Sequence, residues 1–251
     1  LAKSKNMISI QILQSIGTQY AQEWITHFGF EADKHPPYLT MALGAGSVTP
    51  MQMAGAYSVF ANTGYRVNPW LVAKVSEQRG KVLLTTPPVV LDEAQRTIEA
   101  RNAFLMTNLL GEVTRTGTAA RAQATLKRPD VYGKTGTTND SMDAWFAGYQ
   151  PTITAVTWIG YDTPRKLGDK ETGGGLSLPV WISFMETALK GVPIQEPTAP
   201  EGITHIGGEW YFEEFTKGAG VTSVKSEDNI DPSQVAPAAD EKKKILELFK
   251  N

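Results

Sequence analysis

An α+β fold is predicted for this chain: an antiparallel sheet covered by helices, with an adjoining mainly helical lobe. Three observations predict it. Apolar residues recur at helical spacing through much of the first 113 residues, three short β-rich runs with tight links follow up to Tyr161, and an amphipathic helix comes after them. A length of 251 residues suits one larger domain or two lobes around a shared cleft.

The helices come first. Ile8, Ile12, Leu13 and Ile16 share one face of a segment from Met7 to Ile16, and Gly17 is a stop. Tyr20, Trp24 and Phe28 continue at i, i+4, i+8 to a second stop at Gly29, and His35-Pro36-Pro37 is a break. Thr49-Pro50-Met51-Gln52 is a strong helix start, with Thr49 as cap, Pro50 at the first position and Gln52 completing a capping box. Met53, Tyr57 and Phe60 follow on one face, up to Gly64. Leu71 to Thr85, centred on Gln78-Arg79-Gly80, reads as a β-hairpin. From Thr97 to Val113 a further helix turns Ile98, Leu105 and Leu109 inward.

The period then changes. Val131 to Lys134 is β-like, and Asp143 to Tyr149 and Ile153 to Tyr161 are strands around the turn signal Gln150-Pro151. Pro179 to Lys190 is a helix with Val180, Phe184 and Ala188 on its apolar face, Leu189 widening it, and Gly191 as its end. Residues 1–192 are expected to form the main domain. The prolines at 193, 197 and 200 open an extension, 193–216, that hugs it, with a strand from Glu209 to Phe215. Residues 217–251 read as a mobile tail with a short terminal helix after Lys242-Lys243-Lys244. Leu1-Ala2-Lys3 runs into helical pattern without a cap, as expected of a chain entered midway through a domain.

Composition removes several function classes. Hydrophobic residues make up 41% and charged residues 20%, which is globular. Twenty-four Lys and Arg against 26 Asp and Glu give a formal charge of −2, and no basic stripe calls for nucleic acid. The absence of cysteine excludes disulfides, thiolate metal sites and cysteine catalysis. The three histidines, His27, His35 and His205, lack metal-ligand spacing, and His27, inside an aromatic helix, reads as a packing residue. No metal and no cofactor are expected. No apolar run reaches the ~18 residues of a membrane span.

The strongest chemical signal is Lys134-Thr135-Gly136-Thr137-Thr138. Gly133-Lys134-Thr135 ends like a phosphate-binding loop, but that loop needs a glycine five residues before Gly133, where Arg128 stands. The alternative is an edge strand facing a cleft. Thr135 and Thr137 then project to one side as donors for a carboxylate, Lys134 to the other with a side chain long enough to reach the cleft, and Gly136 leaves room for a ligand backbone. The N–H of Thr137 could aim at a developing oxyanion. Taken alone, Lys-Thr-Gly is more often a solvated strand lysine between threonines that suit a sheet. Asp143 and Asp162 could be read as a glycosidase carboxylate pair, but solvated strand ends are the better reading. Trp145, Trp158 and Trp181 read as core.

Lys-Thr-Gly-Thr-Thr-Asn-Asp from Lys134, with Asp143 to Tyr149 and Ala155 to Asp162, resembles the third motif and following hairpin of penicillin-binding proteins. That family is marked by an upstream Ser-x-x-Lys, a Ser-x-Asn and a Lys-Thr-Gly. Thr116 to Ala122 and Gly44 to Pro50 resemble its bifunctional class A branch, and the resemblance covers roughly residues 1 to 215. It implies the penicillin-binding protein and serine β-lactamase-like transpeptidase fold, incomplete at the N-terminus. It also places the second motif at Ser4-Lys5-Asn6, a triplet that by itself is no more than a helix cap.

By this likeness Ser4 passes a proton to and from an acylating serine, together with Lys134, and Asn6 holds a substrate amide. Thr135, Gly136, Thr137 and Thr138 bind substrate. The implied activity is D,D-transpeptidation of D-Ala-D-Ala stem peptides of peptidoglycan through a serine acyl-enzyme, the target of β-lactams. It would take place at the periplasmic face of the bacterial inner membrane. The chain departs from the family in one respect: no serine has a lysine three residues on. An activated serine needs an adjacent base, so the chain alone is expected to be inactive. The glycosyltransferase domain, membrane anchor and serine-bearing segment are expected upstream, possibly as a separate chain. Two rivals remain: a D,D-carboxypeptidase or β-lactamase, in which water resolves the acyl-enzyme, and a non-catalytic scaffold of the same fold.

Overall fold

The computed structural model describes residues 1–216. The expected tail and terminal helix lie outside the described residues. Helices α1 (Asn6–Ile16), α2 (Thr18–Trp24) and α3 (Pro50–Ala61) are followed by strands β1 (Lys74–Ser76) and β2 (Val82–Thr85). Helices α4 (Ala100–Arg115) and α5 (Arg121–Leu126) lead into strands β3 (Tyr132–Thr137), β4 (Ala144–Gln150) and β5 (Ile153–Ile159). Helix α6 (Ser177–Ala188) and a hairpin of β6 (Ile203–Ile206) and β7 (Glu209–Phe212) complete the described residues.

The main sheet is antiparallel in the order β3-β4-β5, so the Lys-Thr-Gly strand lies at its edge. Its register sets Gly136 opposite Trp145 and Trp145 opposite Trp158. Because side chains alternate along a strand, Tyr132, Lys134, Gly136, Trp145 and Trp158 share one face. Phe146, Thr135 and Thr137 share the other. Helix α3 covers the first face, where Tyr57 and Phe60 pack against Tyr132, Tyr149 and Leu110. The second face meets α5 and α6 in a core of Val113, Ala122, Phe146, Trp181 and Met185. Trp181 is fully buried, its ring edge-on to Phe146 at 4.8 Å and its indole N–H donating to Ala155 O at 3.0 Å. Burying an aromatic of this size stabilises by roughly 4–6 kcal/mol at ~25 cal/mol per Å².

The start of α3 matches its sequence signature. Thr49 Oγ1 accepts the Gln52 N–H at 3.1 Å, and Gln52 Oε1 accepts the Thr49 N–H at 2.9 Å. The faces of three other helices differ from expectation. On α1 only Leu13 is buried, while Ile8, Ile12 and Ile16 are about half exposed. On α6 the expected Val180 and Phe184 point outward, and Leu178, Trp181, Ile182, Met185 and Leu189 are buried. This helix is apolar on two sides, and Trp181 decides which one enters the core. On α4 Leu109 is exposed, and the buried face runs through Phe104, Thr107, Leu110, Val113 and Thr114. Two of those are hydroxyls that a hydrophobic pattern does not count. Thr107 bonds Tyr149 OH at 2.8 Å, and Thr114 donates to Val131 O at 2.6 Å, so both are buried as satisfied groups. His27 bonds Trp24 O through Nδ1 at 2.9 Å and leans on the Trp24 ring, but it stays exposed and is no core residue.

Segment 193–216 lies against the main body. The carboxylate of Asp130 is buried; it accepts Arg128 Nε and Nη2 at 2.9 and 2.7 Å, Gln150 Nε2 at 3.1 Å and the Gln195 N–H at 2.9 Å. Trp210 of β7 stands edge-on to Phe104 of α4 at 5.0 Å, and Arg101 pairs with Glu214 at 2.8 Å. The expected strand is shorter at its end, since 213–215 form a 3-10 turn. Its partner β6 was not expected. Gly207 and Gly208 join the two strands with φ of 62° and 91°, the positive pair that a tight hairpin turn of this kind requires.

Candidate active site

The site is built on the edge strand. Lys134 Nζ donates to Ser4 Oγ, across 130 positions of sequence, and to the carbonyl of Thr135 at 2.9 Å. Burial pulls the Lys134 ammonium below the ordinary lysine value. Ser4 sits just before α1 with a left-handed φ of 50°. Its N–H bonds Leu1 O at 3.0 Å, which leaves the hydroxyl for Lys134. It is not a cap: Lys5 occupies the N-cap position of α1, and no side chain caps that end. Asn6 is the first helical residue, is exposed, and makes no side-chain hydrogen bond among the described residues.

A groove of about 530 Å³ runs along this edge between β3 and the entry to α3. Lys134, Gly136, Trp145, Trp158, Met53 and Tyr57 are among its walls. Gly136 lines the groove, and a Cβ there would lie 3.2 Å from Trp145 Cβ. Thr135, Thr137 and Thr138 line the groove as well, although the side chains of Thr135 and Thr137 turn to the opposite face from Lys134. Thr135 Oγ1 is 2.7 Å from Thr118 Oγ1, and Thr137 Oγ1 accepts the Gly173 N–H at 3.0 Å. Gly173 can come this close only without a side chain, because a Cβ would stand 2.3 Å from Trp145 O and 2.4 Å from Gly136 O. Thr138, expected among the substrate-binding residues, lines the groove and also holds the β3–β4 turn. Its hydroxyl accepts the Asp143 N–H at 2.7 Å, and its own N–H donates to Asp143 O at 3.1 Å.

Three features were not read from the sequence. Trp145 and Trp158 are partly buried groove walls with rings 5.9 Å apart, rather than core. Asp143 is not a solvated strand end: its Oδ1 accepts the Trp158 indole N–H at 2.7 Å and fixes that ring. Thr118, near the end of α4, reaches the site only through the fold. The tryptophans could have been found by laying the two strands antiparallel about a turn at Pro151-Thr152, which pairs 145 with 158. Among the described residues no group of three or more His, Asp and Glu side chains could hold a metal ion, and no helix is long and apolar enough to cross a membrane.

The penicillin binding protein transpeptidase domain matches residues 1–186. The chain is 46% identical over 215 residues to penicillin-binding protein 1A of Neisseria flavescens, covering 85% of this chain and 27% of that protein. It therefore spans about a quarter of the length of that relative. Among solved structures it resembles penicillin-binding protein 1A from Haemophilus influenzae, with a TM-score of 0.76 and 33% identity over 81% of this chain and 36% of that one. It also resembles the PonA1 protein from Mycobacterium tuberculosis in complex with penicillin V, with a TM-score of 0.56 and 25% identity over 76% of this chain and 54% of that one. An antiparallel sheet backed by helices agrees with these likenesses, and the chain belongs to the penicillin-binding protein transpeptidase domain family.

Proposed function

We propose that the protein containing this chain is a peptidoglycan D,D-transpeptidase that works through a serine acyl-enzyme and is acylated by β-lactams. The observation that carries the reading is the contact of Lys134 Nζ, which lines the groove, with Ser4 Oγ. It joins the second and third motifs of the family in one proton-handling pair. The penicillin V bound to PonA1, a relative of the same fold, supports the ligand class.

In this reading a serine outside these 251 residues attacks the penultimate D-Ala carbonyl of a stem peptide. Its proton passes through Ser4 to the amine of the departing D-Ala. Lys134, held as a partly desolvated cation, keeps Ser4 oriented and contributes positive field to a tetrahedral oxyanion. Donors on the edge strand at Thr135 and Thr137 receive the terminal carboxylate of the substrate, and Asn6 a substrate amide. The amine of a second stem peptide then enters, gives its proton back through Ser4, and displaces the serine to form the cross-link. The chain alone carries the Ser4–Lys134 pair but not the acylating serine, and does not acylate. The anchor and the glycosyltransferase domain belong to the upstream part, at the periplasmic face of the inner membrane. Residues 1–192 act as the transpeptidase body, 193–216 as its docked extension.

Intact mass spectrometry of the full-length protein with benzylpenicillin tests this. A single penicilloyl adduct on an upstream serine is expected. An unmodified protein that carries that serine would leave the scaffold reading in its place. Incubation with paired stem peptides separates the other rival: cross-linked product is expected, and release of D-Ala without it would mean a carboxypeptidase.

A further inference from the structure

A turn that belongs to neither motif touches the third motif and the residues just before the second. Helix α4 ends at Arg115, and Thr116, Gly117 and Thr118 follow it toward the edge strand β3. On one side this turn holds the N-terminal strap. Lys3 Nζ donates to Thr116 O at 2.6 Å, and the Thr118 N–H donates to Ala2 O at 3.1 Å. Gly117 faces the strap with no room for a side chain: a Cβ there would lie 2.4 Å from Ala2 O and 2.7 Å from Val113 Cα. On the other side the turn grips the edge strand, where Thr118 Oγ1 meets Thr135 Oγ1 at 2.7 Å. Thr116 and Thr118 are thus bonded to points one and two residues before Ser4, and Thr118 also to a point one residue after Lys134.

We propose that Thr118 is a positioning residue, and that the turn it closes is a clip setting the distance between Ser4 and Lys134. The inference rests on the reading of those two as the proton-handling pair. Its physical ground is that neither partner is held well by its own element. Ser4 precedes α1 and sits at a φ that L-residues avoid. β3 is an edge strand with no neighbour on its outer side among the described residues, so its outer edge is held by side-chain and loop contacts. A hydroxyl pair across the turn couples the two. Without it, the strap and the strand can each drift by a fraction of an ångström, enough to slow a proton transfer that depends on hydrogen-bond reach.

The test compares Thr118→Val, which keeps shape and backbone N–H but loses the hydroxyl, with Thr118→Ser, which restores it. Each is made in the full-length protein. A single neutral hydrogen bond corresponds to about a 5- to 10-fold loss of acylation rate with a fluorescent penicillin in Thr118→Val. Thr118→Ser should return to within about twofold of wild type, as expected when the hydroxyl carries the effect. The alkaline limb of the rate profile should move in the valine variant and not in the serine variant, a change that loss of stability alone does not produce. Amide exchange is read in the same proteins, and valine alone should loosen peptides 1–6 and 132–138. Wild-type acylation by Thr118→Val would overturn the proposal. So would a serine variant as slow as the valine one, or a slowed valine variant with unchanged exchange. If wild type itself resists penicillin, the functional reading falls and exchange alone decides the clip: loosening in valine and not serine upholds it, and no loosening overturns it.

Discussion

Replacing Ser4 by Ala in the full-length protein removes one oxygen from the proposed proton path and little else. The hydroxyl is exposed, and its one side-chain hydrogen bond among the described residues is with Lys134 Nζ. General acid–base groups contribute ~10²–10⁴ in rate, so acylation should slow by that factor, about 3–5 kcal/mol of barrier. The stability change should be far smaller, about 1 kcal/mol at most, which moves Tm by about 2–4 °C in a domain of this size. Alanine is the right probe because it keeps the left-handed strain at position 4, where φ is 50°. Glycine would relieve roughly 1 kcal/mol there and confuse the two effects. Time courses of labelling with a fluorescent penicillin at several concentrations give the acylation rate, and thermal unfolding gives the stability. Acylation within threefold of wild type would refute the assignment and leave Ser4 as a turn residue. A slow enzyme whose Tm has dropped by about 10 °C or more would place the loss in folding instead, since that exceeds any single hydrogen bond.

Four further outcomes follow from three other groups. Lys134 has a depressed native pKa, so between that value and the unfolded one the unfolded state binds more protons and stability rises with pH; Lys134→Met should lack this rise in thermal melts at increasing pH. If the cation is the active form, wild-type acylation should fall at alkaline pH with a midpoint below 10.5, and Lys134→Arg should not show the fall within reach of the assay. Burial pushes the Asp130 carboxyl up, but Arg128, Gln150 and the Gln195 N–H outweigh it and hold it below the ordinary carboxylate value. Its stabilisation is therefore complete above the unfolded pKa and lost as pH falls through the native one. Asp130→Ala should cost ~3–5 kcal/mol by leaving Arg128 without its partner, and exchange should rise first in 193–200; a neutral substitution would refute the docking of that segment. Gly173→Ala should weaken penicillin acylation, because its Cβ would push against Gly136 O and Trp145 O and pull Thr137 away; an unaltered rate would show that the loop can yield.

The sequence by itself determined what local chemistry determines. Thr49-Pro50-x-Gln52 fixes the start of α3 because its capping bonds close within four residues. The strands around Gln150-Pro151 announce themselves through β-branched and aromatic runs with a tight turn, and the Lys134 motif is readable as a motif. Which face of each amphipathic helix is buried was decided elsewhere. On α4 two threonines are buried because Tyr149 and Val131, far along the chain, supply their hydrogen-bond partners. On α6 Trp181 wins over Phe184 because Phe146 and Ala155 O receive it. The groove walls at Trp145 and Trp158 need the strand register, and the bond between Thr118 and Thr135 needs the end of α4 to arrive beside an edge strand. The contact that carries the functional reading is of this second kind. Ser4 and Lys134 are each weak signals, 130 residues apart, and only a folded chain with a desolvated lysine at its sheet edge brings them into one hydrogen bond.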